Sequence, residues 1–195
     1  MRKIIQQHPD SRFLEVGIGG YPNFERHSLF HKHNIRYTGC DFSAVCQIHE
    51  KALVESGISL KDSRYFGNQC GSYTWTLREL LVAGEQFDVI YLDGHHTFYV
   101  DLPAAILCHF LLKTGGTMIL DDIEWSLSFL KRNMARFFAE FALYEKAYDF
   151  KEYDLEQQNE KHVKMIAQEI LINQFRYQHS EQTNDSGLWV LKKPI

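Results

Sequence analysis

Cysteine is sparse in this chain, and none of it is paired by spacing. Cys40, Cys46, Cys70 and Cys108 form no C-x-x-C unit and no zinc pattern with histidine. That excludes a thiolate-held metal module and fits free thiols in a reducing compartment. A lysine/arginine run is also missing, and the formal net charge is −4. Nothing therefore predicts a nucleic-acid partner or an anionic membrane surface. No apolar run approaches membrane-spanning length, and Met1–Gln7 lacks the apolar centre of a secretory leader. A cytoplasmic location without membrane association is expected. Internal repeats, low-complexity tracts and interdomain linkers are absent too. With 195 residues, 45% hydrophobic and 24% charged, residues 1–195 read as a single domain.

What is present is a series of short apolar runs that end in polar residues. Arg12 to Val16 reads as a buried strand that leads into Gly17-Ile18-Gly19-Gly20, a turn where backbone can bend sharply and a ligand can come close. A helix follows over Phe24–His33, then a strand over Ile35–Asp41 and a helix over Ser43–Ser56. The next pairs are strand 63–69 with helix 76–83, and strand 87–92 with helix 98–112. Thr117–Leu120 makes a fifth strand before Asp121-Asp122. Four strand-helix repeats ending in a strand imply a Rossmann-like, doubly wound, mostly parallel α/β sheet. Beyond it we expect a helix over 123–140, a charged strand over 146–153 and an amphipathic helix over 156–177. A polar turn over 179–187 and a final strand over 187–194 complete the chain. The stretch 155–180 reads as a helical insertion, open to three roles: lid, dimer surface or core helix. A homodimer therefore stays open.

Ligands of such sheets sit beyond the carboxyl ends of the strands, near the switch in strand order. That rule gathers Glu15, Gly17, Gly19, Asp41, Asn68, Gln69, Asp93, His95, His96, Asp121 and Asp122 at one rim. The acid two residues before the first glycine fits the E/D-x-G-x-G form of S-adenosylmethionine (SAM) sites. A dinucleotide site wants a third glycine where this chain has Pro22. An NAD(P)-dependent oxidoreductase is therefore the alternative enzyme, and a non-catalytic SAM-binding scaffold the alternative from another class. Asp41 closes the second strand where a carboxylate is wanted for ribose hydroxyls. Its other reading is the N-cap of the next helix or a solvated turn residue.

The runs Phe87 to Leu102 and Leu111 to Asp122, taken with Glu15-Val16-Gly17-Ile18-Gly19, resemble class I SAM-dependent methyltransferases. Within that group the chain is similar to a branch with D-G-x-H-[ST] after strand four and G-G-x-x-x-x-D-D at strand five, as in macrolide and sugar O-methyltransferases. The resemblance spans about residues 11–125. It implies a seven-stranded sheet with an antiparallel C-terminal strand, and methyl transfer from SAM to a small-molecule hydroxyl.

Residue by residue, the resemblance implies that Glu15, Gly17 and Gly19 line the methionine end of SAM and that Asp41 takes the ribose. Asn68 and Gln69 would sit beside the adenine, with Asn68 standing where the family often has an acid. Asp93 would border the cofactor, and Asp93, Asp121 and Asp122 match the Mg²⁺ ligands of the metal-using members. An all-oxygen set suits that hard cation. The competing reading makes Asp121 and Asp122 caps of the helix beginning near Glu124. His96 is either a general base toward the acceptor hydroxyl or a ring that fixes its loop, and Asp93 is the other candidate catalytic residue. His31-Lys32-His33 reads as a solvated helix face, and Trp125 is the tryptophan placed to wall a substrate.

Overall fold

The computed structural model describes residues 1–59, 61–69, 71–137, 149–180 and 187–195. Helix α1 (Arg2–Gln7) precedes β1 (Arg12–Val16), α2 (Phe24–Lys32), β2 (Arg36–Phe42), α3 (Ser43–Glu55) and β3 (Ser63–Asn68). Next come α4 (Tyr73–Val82), β4 (Phe87–Leu92), α5 (Phe98–Leu111), β5 (Leu112–Leu120) and α6 (Leu127–Phe137). Helices α7 (Leu155–Asn159) and α8 (His162–Met165) follow, α8 running on as a π-helical stretch over Ile166–Ile172. Strands β6 (Gln178–Ser180) and β7 (Trp189–Lys192) end the chain.

The strands form one sheet in the order β3-β2-β1-β4-β5-β7-β6. The first five are parallel, while β7 runs antiparallel between β5 and β6. Order reverses between β1 and β4, so the crevice at their carboxyl ends is where a ligand is expected. Alternation along the central strands separates two apolar layers. Leu14, Val16, Ile90, Leu92, Met118 and Leu120 belong to one, shared with α4, α5 and the Val163–Leu171 segment. Phe13, Val89, Tyr91 and Ile119 belong to the other, with Ile4, Ile5 and Phe30 from α1 and α2. Local caps begin the helices: Asn23 accepts from the Arg26 N–H, Ser72 from Thr74 and Thr97 from Val100.

The last third departs from expectation. Residues 149–153 form no strand, with a turn at 151–152, because Phe150 is fully buried with φ of 50°, a left-handed backbone no strand accommodates. Residues 146–148 lie outside the described part. The sixth strand is Gln178–Ser180, overlapping the polar turn expected from His179, of which residues 181–186 lie outside the described part; its polar side chains fit an edge position. The helix expected over 156–177 is interrupted. Glu160 is extended (ψ of 157°), ending α7, and the Asn159 side chain donates to the Leu155 carbonyl at 2.9 Å. The apolar periodicity nevertheless does its work: Val163, Ile166, Ala167 and Leu171 are buried with Ala104, Ala105, Cys108 and Leu111 of α5. Helix α6 starts at Leu127, later than Ile123, since Asp122 has φ of 50° and turns the chain first. Residues 138–140 of that expected helix are outside the described part. Among the described residues, no helix is long and apolar enough to cross a membrane.

Candidate functional site

Backbone hydrogen bonds lace the strand exits together. Gly17 N–H donates to the Cys40 carbonyl at 2.9 Å, Asp93 N–H to Val16 at 2.9 Å, and Asp121 N–H to Leu92 at 3.1 Å. The exits of β2, β1, β4 and β5 thus form one continuous rim. Gly17 is required there: its φ is 79°, and a Cβ would meet the Asp93 carbonyl oxygen at 1.9 Å. Gly19 also has positive φ, at 72°, but nothing lies within 4 Å of where its Cβ would be. One glycine closes the rim, and the other leaves its mouth open.

Asp41 faces this turn. Its Oδ2 accepts from the Ile18 N–H at 2.9 Å and its Oδ1 from its neighbour Phe42 at 2.7 Å. Burial raises its pKa, opposed by the N–H groups of Phe42, Ile18 and Gly19. Each oxygen keeps lone-pair capacity for a further donor such as a hydroxyl. Asn68 ends β3 beside Phe42, its register partner, and its Oδ1 lies 3.5 Å from the Thr76 hydroxyl. Gln69 is exposed just beyond.

Glu15 is buried, with 4% exposure, and is already engaged. The Arg26 guanidinium donates to one oxygen and the Tyr37 phenol to the other, the latter at 2.8 Å. Burial pushes Glu15 up despite both partners. Arg26 also lies over the Tyr91 ring, 5.2 Å from its centroid. The sequence reading did not find Arg26, Tyr37 or Tyr91. The available signal was periodicity: Tyr91 is the β4 partner of Glu15, so their side chains share a face.

The acids beyond β4 and β5 divide into two sets. Tyr91 donates to Asp121 and lies 3.1 Å from Asp93 Oδ2, while Asp121 Oδ1 accepts from the Asp122 N–H at 2.8 Å. Asp121 is thereby turned toward the sheet. The donor atoms of Asp93, His96 and Asp122 lie within 4.8 Å of one another. His96 stands where Asp121 was expected. Among the described residues this is the one group of three or more His/Cys/Asp/Glu side chains compact enough for a cation. His96 Nε2 is 3.8 Å from Asp93 and 3.7 Å from Asp122, beyond hydrogen-bond reach. Burial raises Asp93 well above the carboxylate range, with Asp121, Asp122 and Glu15 adding to it. Burial, then Asp121, pushes Asp122 up to about 7. Burial lowers His96.

Both His96 and Asp122 have positive φ, 61° and 50°, uncommon for residues with a Cβ. The His96 ring packs 5.7 Å from Trp125. The loop between β4 and α5 is anchored from beneath by Asp101, which is buried. Tyr73 donates to it, and the His95 N–H reaches both the Tyr73 oxygen (2.9 Å) and Asp101 (3.2 Å). The α6 end is capped by Ser126, which accepts from Phe129 at 3.2 Å, and not by the acid pair.

No protein-family model matches the chain, and no curated protein matches it. Solved structures do. The O-methyltransferase TomG from Streptomyces achromogenes, in complex with SAM, superposes with a TM-score of 0.64 at 14% identity, over 100% of this chain and 78% of that one. The SAH-bound methyltransferase PaMTH1 of Podospora anserina gives 0.63 at 13%, over 99% and 75%. An O-methyltransferase family protein from Burkholderia thailandensis gives 0.63 at 12%. This chain spans 55% of that protein's length. This chain shares the fold of these three structures. In this fold the rim built by Gly17, Asp41 and Asp93 lies at the carboxyl ends of the strands, on the switch between β1 and β4.

Proposed function

We propose that this chain, acting as one domain, transfers the methyl group of SAM to a hydroxyl oxygen of a small molecule. The observation that carries the reading is the 2.9 Å bond from the Ile18 N–H to Asp41. It makes the glycine turn and the sugar-binding carboxylate one rigid unit facing an open mouth at Gly19. SAM supplies an electrophilic sulfonium methyl. The chain's part is positioning, holding nucleophile, methyl carbon and sulfur in line. Asp41 would take the ribose hydroxyls, Gly17 and Gly19 the methionine end, and Asn68 with Gln69 the adenine edge. Glu15, buried and held by Arg26 and Tyr37, would shape the methionine end of this floor.

Asp93, His96 and Asp122 fit a divalent cation: their donors converge without bonding one another, at separations a bridging ion can span. The imidazole makes the set less purely oxygen than Mg²⁺ prefers and admits Mn²⁺. A bound cation would lower the pKa of the acceptor hydroxyl. His96 cannot both ligate through Nε2 and accept a proton there, so ligand and general base are exclusive roles for that atom.

Isothermal titration of the full chain with S-adenosylhomocysteine (SAH), SAM and NAD⁺ tests the cofactor. Micromolar SAH binding with no NAD⁺ heat is expected, and the reverse defeats the reading in favour of an oxidoreductase. Methyl transfer to a panel of hydroxylated metabolites, with and without chelator, tests chemistry and cation together. SAH binding without turnover on any acceptor would favour a scaffold.

A further inference from the structure

We propose that His49 is a positioning residue for the cofactor turn, holding the Gly19 carbonyl so that Gly19 is fixed from both sides. The proposal rests on the SAM reading above. His49 lies in α3, is 2% exposed, and places Nε2 2.8 Å from the Gly19 carbonyl oxygen. A carbonyl only accepts, so Nε2 must carry the hydrogen. In the neutral ring Nδ1 is then a bare acceptor. That matches its surroundings: Nδ1 is buried with no hydrogen-bond partner among the described residues. Burial also holds the imidazole below its usual pKa, which favours the neutral ring.

The consequence lies in the turn. Gly19 has φ of 72° and open space where a side chain would be, so its own packing does not hold it. Its N–H is directed to Asp41, and its carbonyl is held by His49. The peptide on either side of the open mouth is therefore anchored by α3 and by the end of β2. Asp41 alone would leave the carbonyl side free to swing into the space where the methionine end of SAM is proposed to lie. A histidine that merely filled the core would need neither this tautomer nor this contact.

The test compares the wild-type chain with His49→Gln and His49→Leu. A glutamine amide reaches about as far as Nε2 and can donate to Gly19; leucine fills the space without a donor. SAH affinity is expected to fall about tenfold in His49→Leu, the worth of one lost hydrogen bond. In His49→Gln it should stay within about threefold. Amide hydrogen exchange over residues 17–21, measured without ligand, should rise in the leucine variant only. Equal SAH affinity in all three proteins, or equal loss in both variants, overturns the proposal. If the leucine variant does not fold, ¹⁵N NMR of the wild-type imidazole decides instead. A neutral Nε2–H tautomer is expected, and the Nδ1–H tautomer is disproof. Should the wild type ignore SAH altogether, the SAM reading falls and the cofactor role of His49 with it. The exchange data would then show separately whether the bond to Gly19 holds the turn.

Discussion

Gly17 and Asp93 approach so closely that a Cβ on residue 17 would stand 1.9 Å from the Asp93 backbone oxygen. Backbone on both sides leaves nothing flexible to yield. Gly17→Ala should therefore cost on the order of 3 kcal/mol or more, from overpacking plus the positive φ, and should abolish SAH binding. Gly19→Ala has the same backbone penalty, about 1 kcal/mol, but meets no atom. It should keep most of the stability while impairing SAH binding through a methyl group in the mouth. Urea unfolding and calorimetry on the pair separate the rim's closure from its use.

Asp41 gives a second split. In Asp41→Ala the N–H of buried Ile18 loses its acceptor, a cost of about 1–3 kcal/mol. SAH affinity should drop at least tenfold. Asp41→Asn retains one carbonyl oxygen and should recover much of the stability but little of the affinity. Parallel recovery of both would show that the carboxylate serves only the turn.

Asp122 predicts a pH effect. An acid whose pKa is higher in the folded than in the unfolded state binds its proton more tightly when native. Its contribution is full below the unfolded value of about 4 and is lost as pH rises through about 7. Without added cation, the wild type should therefore lose stability relative to Asp122→Asn between pH 4.5 and 8, by a few kcal/mol at most. Urea midpoints at several pH values measure this difference. Adding Mn²⁺ at the upper end should narrow it, since a cation replaces the proton as the neutralising partner.

Arg26 and Glu15 form a pair with side chains 18% and 5% exposed. Arg26→Met leaves a buried acid with only Tyr37 beside it and should cost about 3–5 kcal/mol. The double variant Arg26→Met/Glu15→Gln should regain a large part of that loss. Thermal unfolding of the two singles and the double closes the cycle.

The parallel half of the fold was legible because four of its five strands run into glycine or an acid at their carboxyl ends (β3, ending in Asn68, is the exception) and each helix shows its own period. The rim residues followed from the rule that ligands sit at strand ends. What sequence could not show was how the acids divide. Asp121 and Asp122 are neighbours with the same chemistry, and only the Tyr91 phenol, thirty residues away by sequence, sends one toward the sheet. The β6 strand was equally hidden. Gln178-His179-Ser180 is polar throughout and becomes a strand only because Trp189–Lys192 offers an edge to pair with, a tertiary cause with no local signal. The break at Glu160 is similar, set by side chains of Gln158 and Asn159 that fold back on carbonyls.

The left-handed backbone at His96 and Asp122 sets a trap for protein engineering. A library selected only for heat resistance should enrich glycine or asparagine at these two positions, because either residue relaxes the main chain there. Each such winner would discard a side chain of the converging trio. Positions 96 and 122 would then mark, by their own success in the selection, the place where the proposed cation site is held in a less comfortable conformation.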